Sequence, residues 1–356
     1  MGATLAAGVA AVAACGATTN RPSTPAMQVA FTQLWQPIAP WAERLAGEKG
    51  CGMGAVLERD VVGGVALPPA VAPAQAVAAH AAKPPRVDMR AKCPPVYNQG
   101  PFFSCTAFAV VKGLGEYLLR RKGDRTPLSA AHFYAATEQA GMVSQWIVQH
   151  STVNSGMSYV ALDAGAPIAL AMAAFELGGA VREADRPYPP SAEWPAYVQR
   201  RSGWPRTPIR DAAAPAFPAL ERYFKLGSWS IASGSGVVSY GAVATKLRIT
   251  AARRVPTLAA MKSSLAAGMP VVAGFALRES FYGAGVSPTG HVALPGADER
   301  VAGGHAMLIV GYDDAAQELI VRNSWGATWG DQGYCYWPYA AVTQGLVTDG
   351  WTVAEE

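Results

Sequence analysis

The sequence predicts an α+β fold of two lobes, one helical and one built on an antiparallel sheet or barrel. Three observations lead there. Stretches with helical period and stop signals run from Cys105 to Gly123 and over residues 165–177. Short β-branched and aromatic runs between turn residues dominate from residue 270 onward. Helices first and strands later indicate segregated elements, and a cleft between two such lobes is a natural place for a site.

The totals agree with a folded chain. Its 356 residues exceed the usual single domain and fall short of three, and 51% apolar against 15% charged residues suffices for a large core. The net charge of +4 comes from scattered basic pairs such as Arg200-Arg201 and Arg253-Arg254. Such pairs read as solvated surface, so no nucleic-acid partner is expected. No apolar run reaches the ~18 residues of a membrane span. None of the five cysteines has CxxC spacing, and the histidines show no HExxH pairing. No metal and no cofactor are therefore expected. His80, His132, His150 and His291 read as surface or satisfied core histidines.

The elements follow in order. Residues 1–15 contain "ATLAAGVAAVAAC", short and rich in small residues, as in the apolar part of a bacterial export signal, although no Lys or Arg precedes it. "VAAC" also has the form of a lipobox, which makes Cys15 a candidate lipid anchor. The expected location is the cell envelope or outside the cell, or the cytoplasm if this run is not a signal. Residues 16–85 read as a tether and candidate prosegment, with room for one or two short helices over 27–48 and a Gly-, Pro- and Ala-rich stretch over 62–86. The compact domain should begin near Arg86 and run to residue 356.

From Cys105 a helix is marked by Phe108, Val111, Leu114 and Leu118, with Lys112, Glu116 and Arg120 on other faces and Gly123 as its stop. Residues 165–177 and 257–267 predict two more helices, the second with Thr257 as N-cap and Gly268 as stop. Residues 186–250, rich in Pro, Trp and Gly, read as a long surface excursion inserted in the domain. "PVVAGFAL" (270–277), "AMLIVGY" (306–312), "ELIVRN" (318–323) and "GYCYW" (333–337) read as strands.

One constellation carries chemistry. A cysteine in the first turn of a helix feels the partial positive charge of that terminus, which favours thiolate over thiol. A nucleophilic cysteine also needs a base, a group that orients the base, and donors for an oxyanion. Cys105 stands at such a helix start. His305 lies in "AGGHAMLIVGYDD" just before an apolar strand, and Asn323 closes the next strand in "VRNSWGATWGDQGY". Adjacent hairpinned strands can set these two side by side. Gln99 brings a side-chain N–H six residues before the cysteine, and the Cys105 N–H is a second donor.

These residues, with "VDMRAKCPPVYNQGPFFSCTAFA", "LSAAHFYAA", "LAAGMPVVAGF", "GGHAMLIVGYDD" and "VRNSWGATWGDQGYCYWPY", resemble the papain-like cysteine peptidases, especially a bacterial branch. The pieces occur in the family's order over about residues 86–340. The resemblance implies Cys105 as nucleophile, His305 as base and then acid, Asn323 as the group orienting the imidazole, Gln99 in the oxyanion hole, and Trp325 shielding the His–Asn bond. It implies a protein or peptide substrate and a monomer. Gly156 in "NSGMSYV" and Gly304 are the candidates for contact with substrate backbone. The excursion at 186–250 accounts for a Cys-to-His spacing longer than the ~130–150 residues of the papain type. Cys93 and Cys335 could pair in an exported protein, though two separate thiols are the expectation, and Cys51 has no assigned partner. Two alternatives stand beside this reading. A transglutaminase-type acyl transferase would want Asp where Asn323 stands. A binding module on the same fold would be expected to lose Cys105 or His305, and both are present.

Overall fold

The computed structural model describes residues 55–56, 83–137, 165–201, 244–282, 286, 288–296 and 298–354. The signal-like segment with Cys15, the helices expected over 27–48, Cys51 and Gly156 lie outside these residues. Among the described residues no helix is long and apolar enough to cross a membrane.

The sheet lobe forms around β5 (Val271–Arg278), whose residues are buried except the last. A continuous apolar run of this kind suits a strand covered on both faces. β5 pairs with β6 (Val301–Asp313), which pairs with β7 (Glu318–Arg322) and through it with β8 (Tyr334–Pro338). On its other side β5 pairs with β9 (Val347–Val353), which pairs with β4 (Ala252–Arg254). All these pairings are antiparallel, as expected. β2 (Arg86–Asp88) joins the far end of β6 with Asp88 opposite Gly311. Just before β2, Pro85 accepts from the Asp314 N–H at 2.9 Å and Pro84 from the Tyr312 hydroxyl at 2.7 Å. These two bonds tie the chain ahead of β2 to the end of β6.

β6 is longer than its apolar run. It begins at Val301, so His305 lies inside the strand rather than before it, opposite Phe275 of β5. Glycine and histidine are weak strand formers. Pairing with β5, which continues to Arg278, recruits them.

The helical lobe is organised by α1, a continuous helix of three parts: Cys105–Ala107, Phe108–Gly115 with π-helical hydrogen bonding, and Glu116–Arg121. It ends at Gly123 with φ +77°. A Cβ at Gly113 would come within 3.1 Å of Leu308 Cδ2, so the glycine lets α1 lie close against β6. α2 (130–137), α3 (Ile168–Leu177) and α5 (Leu258–Ala266) follow, with α4 (Trp194–Arg201) between the last two. Thr257 caps α5 as expected, accepting from the Ala260 N–H at 3.2 Å.

Lys112 and Glu116, which the periodicity places on other faces of α1 than its apolar stripe, are both buried. They pair at 3.0 Å, and Lys112 also reaches Glu183 at 3.3 Å. Glu116 accepts from the Tyr97 hydroxyl at 2.8 Å and from the Leu128 N–H at 3.0 Å. The helix runs between the lobes, so its polar stripe is covered, and charges so covered persist only when paired and hydrogen-bonded. The start of the excursion is mostly at the surface, with Pro187, Pro190, Ser191 and Ala192 exposed, but it is anchored by Tyr188 and Trp194, which pack against the core, and by the buried Pro189.

Candidate active site

Cys105 opens α1 and is fully buried. Its Sγ accepts from the Ala306 N–H at 3.3 Å, so β6 delivers the residue after His305 directly to the sulfur. The helix terminus and this donor both favour a sulfur carrying negative charge.

His305 Nε2 lies 2.8 Å from Asn323 Oδ1, and the same oxygen accepts from the Ser324 N–H at 2.8 Å. An oxygen that already accepts from a backbone amide identifies the asparagine's acceptor end. His305 Nε2 therefore carries the proton and donates. The other ring nitrogen, Nδ1, is buried and has no hydrogen-bond partner among the described residues. In this tautomer it carries a lone pair and no proton. Burial pushes the imidazole down to about 4, and the Asn323 hydrogen bond opposes that shift.

Asn323 follows β7 and Trp325 comes two residues later. The Trp325 ring lies 5.0 Å from the His305 ring at an interplanar angle of 35°. Tyr282 stacks on Trp325 at 5.4 Å, and Phe281 and Trp329 meet it edge-on at 5.5 and 5.2 Å. Within this aromatic packing His305, Asn323 and Trp325 are all buried.

Gln99 sits on the loop entering α1 and is fully buried. Its Oε1 accepts from the Ser324 hydroxyl at 2.5 Å, and its Nε2 donates to the Phe102 carbonyl at 2.7 Å. The amide is thus held at both its oxygen and its nitrogen. The Gln99 backbone N–H donates to the Ser324 carbonyl at 2.8 Å. The Asn323-Ser324 pair thus holds the imidazole with one residue and the amide with the next.

Hydrogen bonds thus run from Gln99 to Ser324, from His305 to Asn323, and from the residue after His305 to Cys105. Gly304 lies on β6 beside His305, opposite Ala276. One element not singled out from the sequence also arrives. β3 (Ala166–Pro167) is held to α1 because the Thr106 hydroxyl donates to the Ala166 carbonyl at 2.9 Å. β3 pairs in parallel with β1 (Ala55–Val56), which also lies next to β6. The signal in the sequence was a proline ahead of a helix, which leaves the residues before it extended. Cys93 and Cys335 are separate buried thiols. Burial pushes Cys93 up to about 11 and Cys335 upward as well, so neither is poised as a nucleophile.

A sequence profile of papain family cysteine proteases matches residues 83–345. The chain belongs to the papain family of cysteine proteases. A bacterial member of that fold, xylellain, a cysteine protease from Xylella fastidiosa, is 28% identical with a TM-score of 0.55, covering 77% of this chain and 87% of its own. A procathepsin B from Trypanosoma congolense shares the fold at 16% identity and a TM-score of 0.55, over 88% of this chain and 89% of that one. Among curated proteins, an uncharacterized peptidase C1-like protein of Acanthamoeba polyphaga mimivirus is 41% identical over 96 residues, 27% of this chain and 31% of that protein. A cathepsin B-like protein of Giardia intestinalis is 38% identical over 80 residues, 21% of this chain and 24% of that protein. The matches thus span less than a third of each of these two relatives.

Proposed function

We propose that this papain-family chain is a cysteine-type endopeptidase acting on proteins or peptides through Cys105, His305, Asn323 and Gln99. The observation that carries the reading is the position of His305. Its Nε2 is bound to Asn323 and its Nδ1 is uncommitted, while the next residue's N–H touches the Cys105 sulfur. His305 Nδ1 takes the thiol proton and the thiolate attacks the peptide carbonyl. The second N–H of Gln99 and the Cys105 N–H hold the developing oxyanion, a contribution of about 3 kcal/mol per donor. The imidazolium returns its proton to the leaving amine, and water then hydrolyses the thioester with His305 as base. Asn323 keeps the ring in plane and Trp325 keeps water from the bond between them.

The same reading assigns residues 16–85 as a candidate prosegment. Support comes from the full burial of Cys105 and His305, and from Ala55–Val56 lying against β3 and next to β6. A depressed imidazole fits such a covered site, because the thiolate–imidazolium pair is favoured only where its charge is solvated or matched. Gly156 and Gly304 remain candidate contacts for the substrate backbone, and we retain export, the Cys15 anchor and a monomeric state as parts of the proposal.

The test is labelling by an epoxysuccinyl inhibitor with intact-mass readout, on the full chain and on a chain beginning at Lys83. One adduct is expected on wild type, none on Cys105→Ala and a slow reaction on His305→Ala. The shorter chain should react faster. Failure of both chains to react would overturn the peptidase reading and favour a binding module. Equal rates for the two chains would remove the prosegment.

A further inference from the structure

Tyr188 carries no role in the chemistry above, yet its hydroxyl meets both ends of the loop that bears the oxyanion donors. It donates to the Gln99 carbonyl at 2.9 Å and lies 2.6 Å from the Ser104 hydroxyl. A phenol has one proton, so with that proton on Gln99 the serine hydroxyl donates to the phenol oxygen. Gln99 and Ser104 are both fully buried, and each depends on this contact for part of its hydrogen bonding. The ring is fixed edge-on against Phe102 at 5.5 Å and Phe108 at 5.0 Å. The Tyr188 N–H donates to Glu183 at 2.7 Å, and Glu183 in turn pairs with the buried Lys112 of α1. Further along the same segment, the Trp194 indole donates to the Pro189 carbonyl at 3.1 Å and covers Gly100, where a Cβ would lie 2.7 Å from the ring.

The Ser324 contacts hold Gln99 from one side. Tyr188 holds it from the other and ties it to the peptide that presents the Cys105 N–H. From this geometry we infer that Tyr188 is a positioning residue for the oxyanion hole, setting the separation of its two donors. This inference rests on the peptidase reading. It concerns only the step in which a carbonyl oxygen gains charge.

That restriction gives the test. Hydrolysis of a peptide amide needs the oxyanion donors, whereas alkylation of the thiolate by iodoacetamide forms a C–S bond, expels iodide and develops no oxyanion. The full chain is compared as wild type, Tyr188→Phe, Gln99→Ala and the double variant, all taken through the same activation step. Tyr188→Phe should lower kcat for a peptide amide roughly tenfold, as loss of a buried hydrogen bond can do. KM and the alkylation rate with its pH profile should stay at wild-type values. The loss should shrink in the Gln99→Ala background. Ser104→Ala, a smaller change, should show the same split more weakly and guards against a folding defect in the tyrosine variant. Hydrolysis within twofold of wild type, an equal fall in alkylation, or losses that multiply fully with Gln99→Ala would overturn the inference. A wild-type chain that neither hydrolyses the peptide nor alkylates at Cys105 would instead overturn the peptidase reading.

Discussion

Asn323 and Ser324 are neighbours in sequence that divide two tasks. Asn323 accepts from His305 at 2.8 Å, and Ser324 donates to Gln99 at 2.5 Å. Asn323→Ala frees the imidazole to rotate and leaves the Ser324 N–H without its acceptor. A hydrogen bond to a group that becomes charged is worth about 1.5–3 kcal/mol, so kcat should fall roughly 10- to 100-fold in steady-state assays. Thiol alkylation should slow with it, because the base itself is disturbed. Ser324→Ala touches the amide instead. It should cost roughly tenfold in kcat while alkylation of Cys105 keeps its rate. Alkylation slowed by Ser324→Ala but not by Asn323→Ala would contradict the division of labour.

At the scale of elements, α1 is the piece on which the site depends. It is covered on both sides, carries a π-helical stretch over Phe108–Gly115 and keeps a lysine and a glutamate in its buried face. π-Helical turns are uncommon and recur near functional sites. The pair Lys112–Glu116 is joined by Glu183, Tyr97 and the Leu128 N–H, and the Lys112 ammonium sits 4.1 Å from the centre of the Tyr97 ring. Removing one member strands the others in a medium that cannot solvate them. Lys112→Met should lower the unfolding free energy by about 3–5 kcal/mol in urea titrations. A loss under about 1 kcal/mol would mean that water reaches the pair, as at an exposed ion pair.

For the whole molecule, the covered site makes stability depend on pH. His305 has a folded value of about 4 against an ordinary 6.5 when unfolded. The unfolded chain therefore binds more protons between these values, and stability rises with pH across that window. The contribution is fully present above about 6.5 and is lost on acidification toward 4. Its size is about 3 kcal/mol, at 1.36 kcal/mol per unit. Carboxylates held low by neighbours, such as Asp88 beside Arg90, lose stability over a lower range and blur the total. The difference between wild type and His305→Gln isolates the histidine. Melting temperatures measured at pH 7 and pH 4.5 should fall further for wild type than for His305→Gln. Equal falls would mean that the imidazole is solvated in the folded chain.

The order Gln99, Cys105, His305, Asn323 was legible because each residue carries its own local signature. A cysteine opening an amphipathic helix, a Gly-Gly-His run entering a strand and an Asn-Ser-Trp-Gly run leaving one are features of short windows. Four strands of the sheet, β5 to β8, were legible for the same reason, since their apolar runs alternate with turn residues, whereas β2, β4 and β9 were not. What the windows lacked were partners far away in the chain. The burial of Lys112, the extension of β6 back to Val301, the bond from Thr106 to Ala166 and the grip of Tyr188 on Gln99 all join residues from separate segments. Periodicity tells which residues share a face, not what will cover that face. Local patterns in the chain carry the candidate chemistry and most of the elements that bear it. Which polar groups are desolvated together was left to the packing, because desolvation depends on everything packed around a group and not on its neighbours in the chain.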